Sequence, residues 1–439
     1  MWAGYSVYRA RVFLRQLEPR TARTTAEVLN FALWPLAILT VIHRVFINAV
    51  NYHVTNDFTP VYNASLAFLN HRPVYDANFS STDPAYLYPP SGTLLISPLA
   101  IIDPEKSRWA FILVNALALL LAWYLLLKLF NFTLNSVAAP ALLLAMFVSE
   151  TVTNTLAFTN INGCLFLAMM AFLHLVLERK DLWAGAALGL TIAVKGPLLV
   201  PLLLIPLVRG QWKVFITALG IPVVLNLLAW PLIVDYKAFW THTLPYLSEA
   251  RDYFNSAIVG NAGYYGVAEW LTWTIRIVMA GLVLASLWIL YRYYRDDEVF
   301  FVCNTSGILI TATMLLGPLG QMYYSMFLFP MLMTVVLRNS LLRNWPAWLA
   351  IFGFMSYDKW LSDRWQSIGR DLEYLRTTFG WGLLLIVVFC VLGDRYLVAK
   401  REGRLRSGQS LDPAWMHPER SDETAEVDTA PRTKAAASY

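Results

Sequence analysis

The sequence predicts an all-α polytopic membrane protein with about twelve crossings. Three observations carry that prediction. Hydrophobic residues make up 57% of the chain and charged ones only 14%, with a mean hydropathy of +0.50, whereas a soluble globular domain carries roughly a quarter charged residues. Apolar runs of spanning length recur along most of the 439 residues. The runs are continuous and do not alternate, which argues against a transmembrane barrel.

The elements follow in chain order. Residues 1–30 carry Arg9, Arg11, Arg15, Arg20 and Arg23 against two acids, and lack the apolar core and cleavage site of a signal peptide. The last apolar run ends in "RYLVAKREGRLR". Basic flanks mark the cytoplasmic side, so both ends belong there and the number of crossings is even. "ERKD" (178–181), "RGQWK" (209–213), "RYYRDDE" (292–298) and "RNSLLRN" (338–344) read as cytoplasmic turns. Candidate spans lie near 31–50, 107–129, 137–157, 163–178, 184–195, 196–208, 213–233, 270–291, 299–316, 323–338, 345–357 and 377–397. Several are short for a core of about 30 Å, which predicts broken, tilted or re-entrant helices. "YPPSGTLLISPLAIID" (88–103) reads as a juxtamembrane or dipping helix, because a crossing there would put the later basic turns outside. Residues 31–400 thus form one membrane domain, and the polar tail 401–439 has the composition of a disordered segment.

The net charge of +5 is accounted for by basic helix ends and implies no nucleic-acid partner. Cys164, Cys303 and Cys390 sit in separate apolar runs without metal-ligand or CxxC spacing and read as buried hydrophobes. Three sizeable loops, 51–106, 234–269 and 358–376, fall on the outer side. They are rich in acids, amides and aromatic rings, including Tyr62, Tyr88, Asp252 and Tyr253. Rings at an interface serve as anchoring belts in any membrane protein. Together with carboxylates and amides they also suit a carbohydrate.

Asp57, in "VTNDFTPVYNASLAFL", stands where the first span leaves the membrane. On position alone it serves equally as the N-cap of a helix starting near Pro60 or as a catalytic carboxylate. Lys195, in "GLTIAVKGPLLVPLL", lies between apolar stretches, where a charge is costly and points to an anionic partner; snorkelling to the outer interface is the plainer alternative. The turn "FTNINGC" (158–164) offers Asn160 and Asn162, and "GPLGQMYYSMFLFP" (317–330) offers Gln321, Tyr323 and Tyr324. Each group either satisfies its own turn or binds a sugar. Arg251, in "SEARDYFN", suits a phosphate but can equally pair with Glu249 or Asp252.

The outer acid, the long loop ending in Tyr-Pro-Pro, the Asn turn and the Lys-Gly-Pro break form an ordered series. That series resembles the polyprenyl-phosphate-sugar-dependent GT-C glycosyltransferases of family 87. Longer stretches such as "ETVTNTLAFTNINGC", "TLPYLSEARDYFNSAIVGN" and "LDPAWMHPER" extend the likeness along nearly the whole chain. They direct it to members that transfer arabinofuranose. The resemblance implies a GT-C fold in the plasma membrane with an outward active site. It implies decaprenyl-phosphoryl-arabinofuranose as donor, α-(1→5) arabinan of arabinogalactan or lipoarabinomannan as acceptor, and an α-(1→3) branch as product. Asp57 maps onto the family's catalytic acid. Asn56 stands where relatives often carry a second Asp, and Gln321-Met-Tyr-Tyr where some carry histidines.

A β-linked donor giving an α-linked product means inversion, with Asp57 as general base on the acceptor hydroxyl. Lys195 is the first choice for the leaving phosphate and Arg251 the second. Tyr62, Tyr88, Asn160, Asn162, Asp252, Tyr253, Gln321, Tyr323 and Tyr324 are the candidate sugar and acceptor contacts. No cofactor is expected. No DxD sequence or His/Asp cluster suggests a metal, and His53 alone reads as a surface residue. Two alternatives stay open: a polyprenyl-phosphate-mannose-dependent mannosyltransferase, and a lipid-linked sugar transporter or flippase. Large outer loops against short cytoplasmic turns favour a transferase over a carrier, which needs access from both faces.

Overall fold

The structure is a computed structural model and describes residues 24–55, 57–80, 83–405 and 411–412. Asn56, most of the basic segment 1–30 and most of the tail 401–439 lie outside the described residues. Helix α1 (Thr25–Ile42) begins in a capping box, in which the Glu27 backbone N–H donates to Thr24 and the Thr24 N–H to Glu27. It continues as a π-helical stretch, His43–Ala49. Helix α2 (Phe58–Leu69) and helix α3 (Pro90–Ile96) belong to the first loop, and α4 (Pro104–Leu129) starts on an Asp103 cap with Pro104 at its first position. Helices α5 (Ala138–Val148) and α6 (Glu150–Ala157) meet at a 57° bend.

Helix α7 (Asn162–Leu177), α8 (Asp181–Leu199) and α9 (Trp212–Ala229) follow. Short helical turns cross Tyr236–Ser248 before α10 (Ile258–Tyr265), α11 (Glu269–Tyr293) and α12 (Glu298–Leu316). A 3-10 run, Met322–Leu328, leads on to α13 (Trp345–Met355) and α14 (Gln366–Arg401). No strand occurs among the described residues.

Among the described residues seven helices are long and apolar enough to cross a membrane, or eight if the bent α5–α6 pair is one span. The expected count of about twelve is not confirmed, because several of the expected crossings are too short to qualify by length. Asn162–Leu177, Met322–Val336 and Trp345–Met355 are helical where spans were expected but are individually short. The stretch 181–208 is long enough for one span, but its contacts show a reversal. Gly185 touches Val214 and Thr217, and Gly189 touches Ala218 and Ile221, so α8 and α9 run parallel. The Gln211 amide donates to Asp181 at 2.9 Å and to the Val176 carbonyl at 3.0 Å. The chain therefore rises along α8, turns near Lys195 and returns by residue 211. At 1.5 Å per residue each limb is roughly 20 Å long.

The charged flanks gather at this lower end. Arg209 meets Glu298 at 2.7 Å, and Asn339 donates to Asp297 at 2.9 Å. Leu411 and Asp412 of the tail are buried there, with the Asp412 carboxylate bound by Arg395 at 2.9 Å and Tyr294 at 2.8 Å. The opposite end holds the first loop and the candidate active site.

Candidate active site

The turn at Lys195 has a local cause. Pro197 lacks an N–H and cannot bond the carbonyl of Ala193, four residues earlier. Lys195 itself leaves helical geometry, with φ −142° and ψ 59°. The freed Ala193 carbonyl accepts instead from the Ser91 hydroxyl at 2.6 Å, and Asn226 of α9 donates to Ser91 at 3.1 Å. Helix α3, the segment with the proline pair, therefore packs directly onto the break. Gly92 faces the break: a Cβ there would lie in ordinary contact with the Ala193 oxygen, at 3.5 Å, and more tightly against the Tyr88 Cβ, at 3.2 Å.

Asp57 is held from below. Arg108 of α4 donates to the carbonyls of Ala49 at 2.9 Å and Tyr52 at 2.6 Å, fixing the exit of the first span, and to the Thr159 hydroxyl at 3.3 Å. Thr159 has a φ of +57°, a costly conformation for a β-branched residue. It turns the chain so that the next residue, Asn160, donates to the Asp57 carboxylate at 3.1 Å. Although Asp57 stands at the N-cap of α2, its side chain makes no capping bond. The cap alternative therefore has no support.

The Asn turn bridges the two charges. The Asn160 side chain accepts from the Asn162 N–H at 3.1 Å, and the Asn162 side-chain oxygen accepts from the Lys195 ammonium at 3.0 Å. The ammonium lies 4.3 Å from the Tyr324 ring and 5.9 Å from those of Tyr88 and Tyr323, a cation–π enclosure. Asn162 is fully buried, and its side-chain NH₂ has no hydrogen-bond partner among the described residues. An unpaired buried donor costs about 1–3 kcal/mol.

Burial pushes the Asp57 carboxyl above the ordinary carboxylate range. The Asn160 hydrogen bond, the Lys195 charge and the Tyr323 hydroxyl pull the other way without cancelling it. A base at one side, a cation at the other and an orphan donor between them can accept one proton and bind one anion. Such an arrangement suits an alcohol meeting a phosphate ester.

Seven expected residues thus converge: Asp57, Tyr88, Asn160, Asn162, Lys195, Tyr323 and Tyr324. Others stand elsewhere. The Tyr62 hydroxyl donates to the Ile102 carbonyl at 2.9 Å, pinning α2 to the end of its loop. Arg251 lies over Tyr246 and Tyr253, at 5.4 and 5.8 Å, in a loop shared with Asp252. That loop is fastened to the late turn by Asn255, which donates to the Pro318 carbonyl and accepts from the Gly320 N–H. Gln321 opens the 3-10 run that carries Tyr323. Sequence reasoning missed Arg108 and Ser91. The carboxylate of Asp235, in the outer loop 234–269, is taken up by the N–H groups of Val74 and Tyr75. Among the described residues no group of three or more His, Cys, Asp or Glu could hold a metal ion.

The profile described as "Glycosyltransferase family 87" matches residues 86–318. An "Alpha-(1->3)-arabinofuranosyltransferase" of Mycolicibacterium smegmatis is 53% identical over 413 residues, covering 93% of this chain and 95% of its own. Proteins of the same name from Mycobacterium tuberculosis and Corynebacterium glutamicum are 52% and 39% identical. They share 93% and 92% of this chain, and 94% and 96% of their own lengths.

Proposed function

Since the chain belongs to glycosyltransferase family 87, and is thus a membrane glycosyltransferase, we propose that it adds α-(1→3)-arabinofuranosyl branches to an α-(1→5) arabinan. The donor is decaprenyl-phosphoryl-arabinofuranose, and the acceptor is the arabinan of arabinogalactan or lipoarabinomannan. The names of the relatives support the linkage and the sugar. The observation that carries the chemistry is the pairing of Asp57 and Lys195 through Asn160 and Asn162. The reaction runs in the plasma membrane, on the face opposite the basic turns.

The acceptor 3-hydroxyl attacks the anomeric carbon from the side opposite the phosphate. The new C–O bond forms as the bond to phosphate breaks, and the configuration inverts. Asp57 takes the hydroxyl proton. The phosphate leaves as an anion and needs no proton, so the second carboxylate of an inverting glycosidase is unnecessary. Lys195, with the Asn162 NH₂, receives the charge that develops on it. Tyr88, Tyr323 and Tyr324 wall the sugar, and the Arg251–Tyr253 loop with Gln321 borders the acceptor entrance.

The test is product analysis. Purified protein in detergent, given the lipid donor and a linear arabinan acceptor, is expected to yield 3-linked branch points by linkage analysis. Mannose transfer from the corresponding mannose lipid, or movement of the donor across vesicles without product, would replace this reading.

A pH profile supplies a second check. Only ionised Asp57 can take a proton, and its pKa is raised above the ordinary 3.8. The value of kcat/KM is therefore expected to fall as pH decreases through that raised value, with an acid limb displaced upward from a solvent-exposed carboxylate. A rate that is flat with pH down to the ordinary carboxylate range would assign the base elsewhere.

A further inference from the structure

Helix α2 has two unlike faces. Phe58 and Tyr62 pack on Ala100 and Phe111, toward α4. The opposite face carries Pro60, Asn63, Ala64 and Ala67, at i, i+3, i+4 and i+7, and borders a cavity of about 510 Å³. Small side chains on that face make a trough, and the turns 72–77 and 84–86 wall it. Those walls are fixed: Asp235 holds the N–H groups of Val74 and Tyr75, and the Tyr86 hydroxyl bonds Thr93 at 3.0 Å. The volume lies within the roughly 300–1,000 Å³ of small-molecule sites.

The trough begins beside the reaction centre. Asp57 keeps helical geometry, with φ −89° and ψ −33°, so it lies on nearly the same line as Ala64, seven residues on. The cavity starts about one turn from Asp57 and runs roughly 10 Å along the helix. Its polar groups are Asn63, Arg72 and Asp76, all exposed. Their side chains make no hydrogen bond or ion pair with other described residues. Arg72 and Asp76 cancel in charge, which does not suit an anionic headgroup. Pro60, Pro73 and Pro84 supply apolar surface between them. A neutral chain of hydroxyls and C–H edges matches that lining.

We propose that this cavity is an acceptor subsite, holding the furanose residues next to the one whose 3-hydroxyl faces Asp57. The assignment rests on the transfer reaction proposed above. It makes the protein a reader of chain length: a longer linear arabinan fills the trough, and the shortest acceptors do not reach it.

The test measures KM for linear α-(1→5) arabinofuranosyl acceptors of increasing length, using the full-length wild type and the Arg72→Gln, Asp76→Asn and Ala67→Trp variants. In the wild type KM is expected to fall as the acceptor lengthens. Each variant is expected to raise KM for the longest acceptor about tenfold, through one or two lost hydrogen bonds at Arg72 and Asp76 and through a ring that fills the trough at Ala67, with KM for the donor lipid unmoved. Thermal melts check that the exposed Arg72 and Asp76 substitutions, and the one at half-buried Ala67, leave the fold intact. If the wild type transfers arabinose but the variants keep its length dependence, the subsite is wrong and the reaction stands. A rise in donor KM alone would make the cavity a lipid headgroup site and overturn the proposal. Failure of the wild type to transfer to any acceptor sinks both.

Discussion

Asp57→Asn is expected to lower kcat by about 10²–10⁴-fold, the usual contribution of a positioned general base, while leaving the protein at least as heat-stable as the wild type. The two halves of that result have one cause. Burial raises the Asp57 pKa in the folded state. Between the ordinary carboxylate value and the raised one, the folded protein holds a proton that the unfolded chain has released. Stability therefore falls as pH rises through that window, and above it the ionised carboxylate is a standing cost. Asparagine fills the same space without the charge, can still pair with Asn160, and removes that cost. A residue kept for structure would show the reverse, a lower melting temperature with activity lost only in proportion. Kinetics of purified protein with the lipid donor, beside a thermal melt at neutral pH, separate the two. Retention of wild-type kcat in Asp57→Asn would remove the base from the mechanism.

Much of the candidate site was legible in the sequence as a set of residues that the fold brings together, because membranes make exceptions conspicuous. A lysine between apolar runs, a carboxylate at the end of a span and amides in a short turn are all costly where lipid or helix would be cheaper. These residues, Asp57, Asn160, Asn162 and Lys195, form one hydrogen-bonded chain. The supporting contacts were not legible. Asp235 reaches back 161 residues to Val74, and Ser91 covers an oxygen 102 residues away. Nothing in the local pattern around either residue names its partner. Asp235 lies in an outer loop, and its carboxylate serves as a clamp for backbone N–H groups. The exact number of crossings was not legible for a related reason: the body accepts short helices because their broken ends are satisfied by neighbours such as α3, and only tertiary contacts reveal that.

Lys195→Gln is expected to lower kcat by about 10²–10³-fold, the range for removing one preorganised group from a developing anion, with little change in melting temperature. The choice of glutamine matters. Its amide can still donate to the Asn162 side-chain oxygen, as the ammonium does at 3.0 Å, so the turn keeps its internal partner and loses only the charge. Lys195→Met removes the hydrogen bond as well. Asn162 would then have both side-chain groups unpaired in a fully buried position, and stability should drop by about 1–3 kcal/mol in addition to the lost rate. If Lys195 served only to close the chain reversal between α8 and its return limb, glutamine would behave as wild type in both measurements. If it holds the leaving phosphate, the two variants share the kinetic loss and differ in stability. A donor whose phosphate is a better leaving group should recover part of the rate in Lys195→Gln, because less charge stabilisation is then needed at the moment the bond to phosphate breaks.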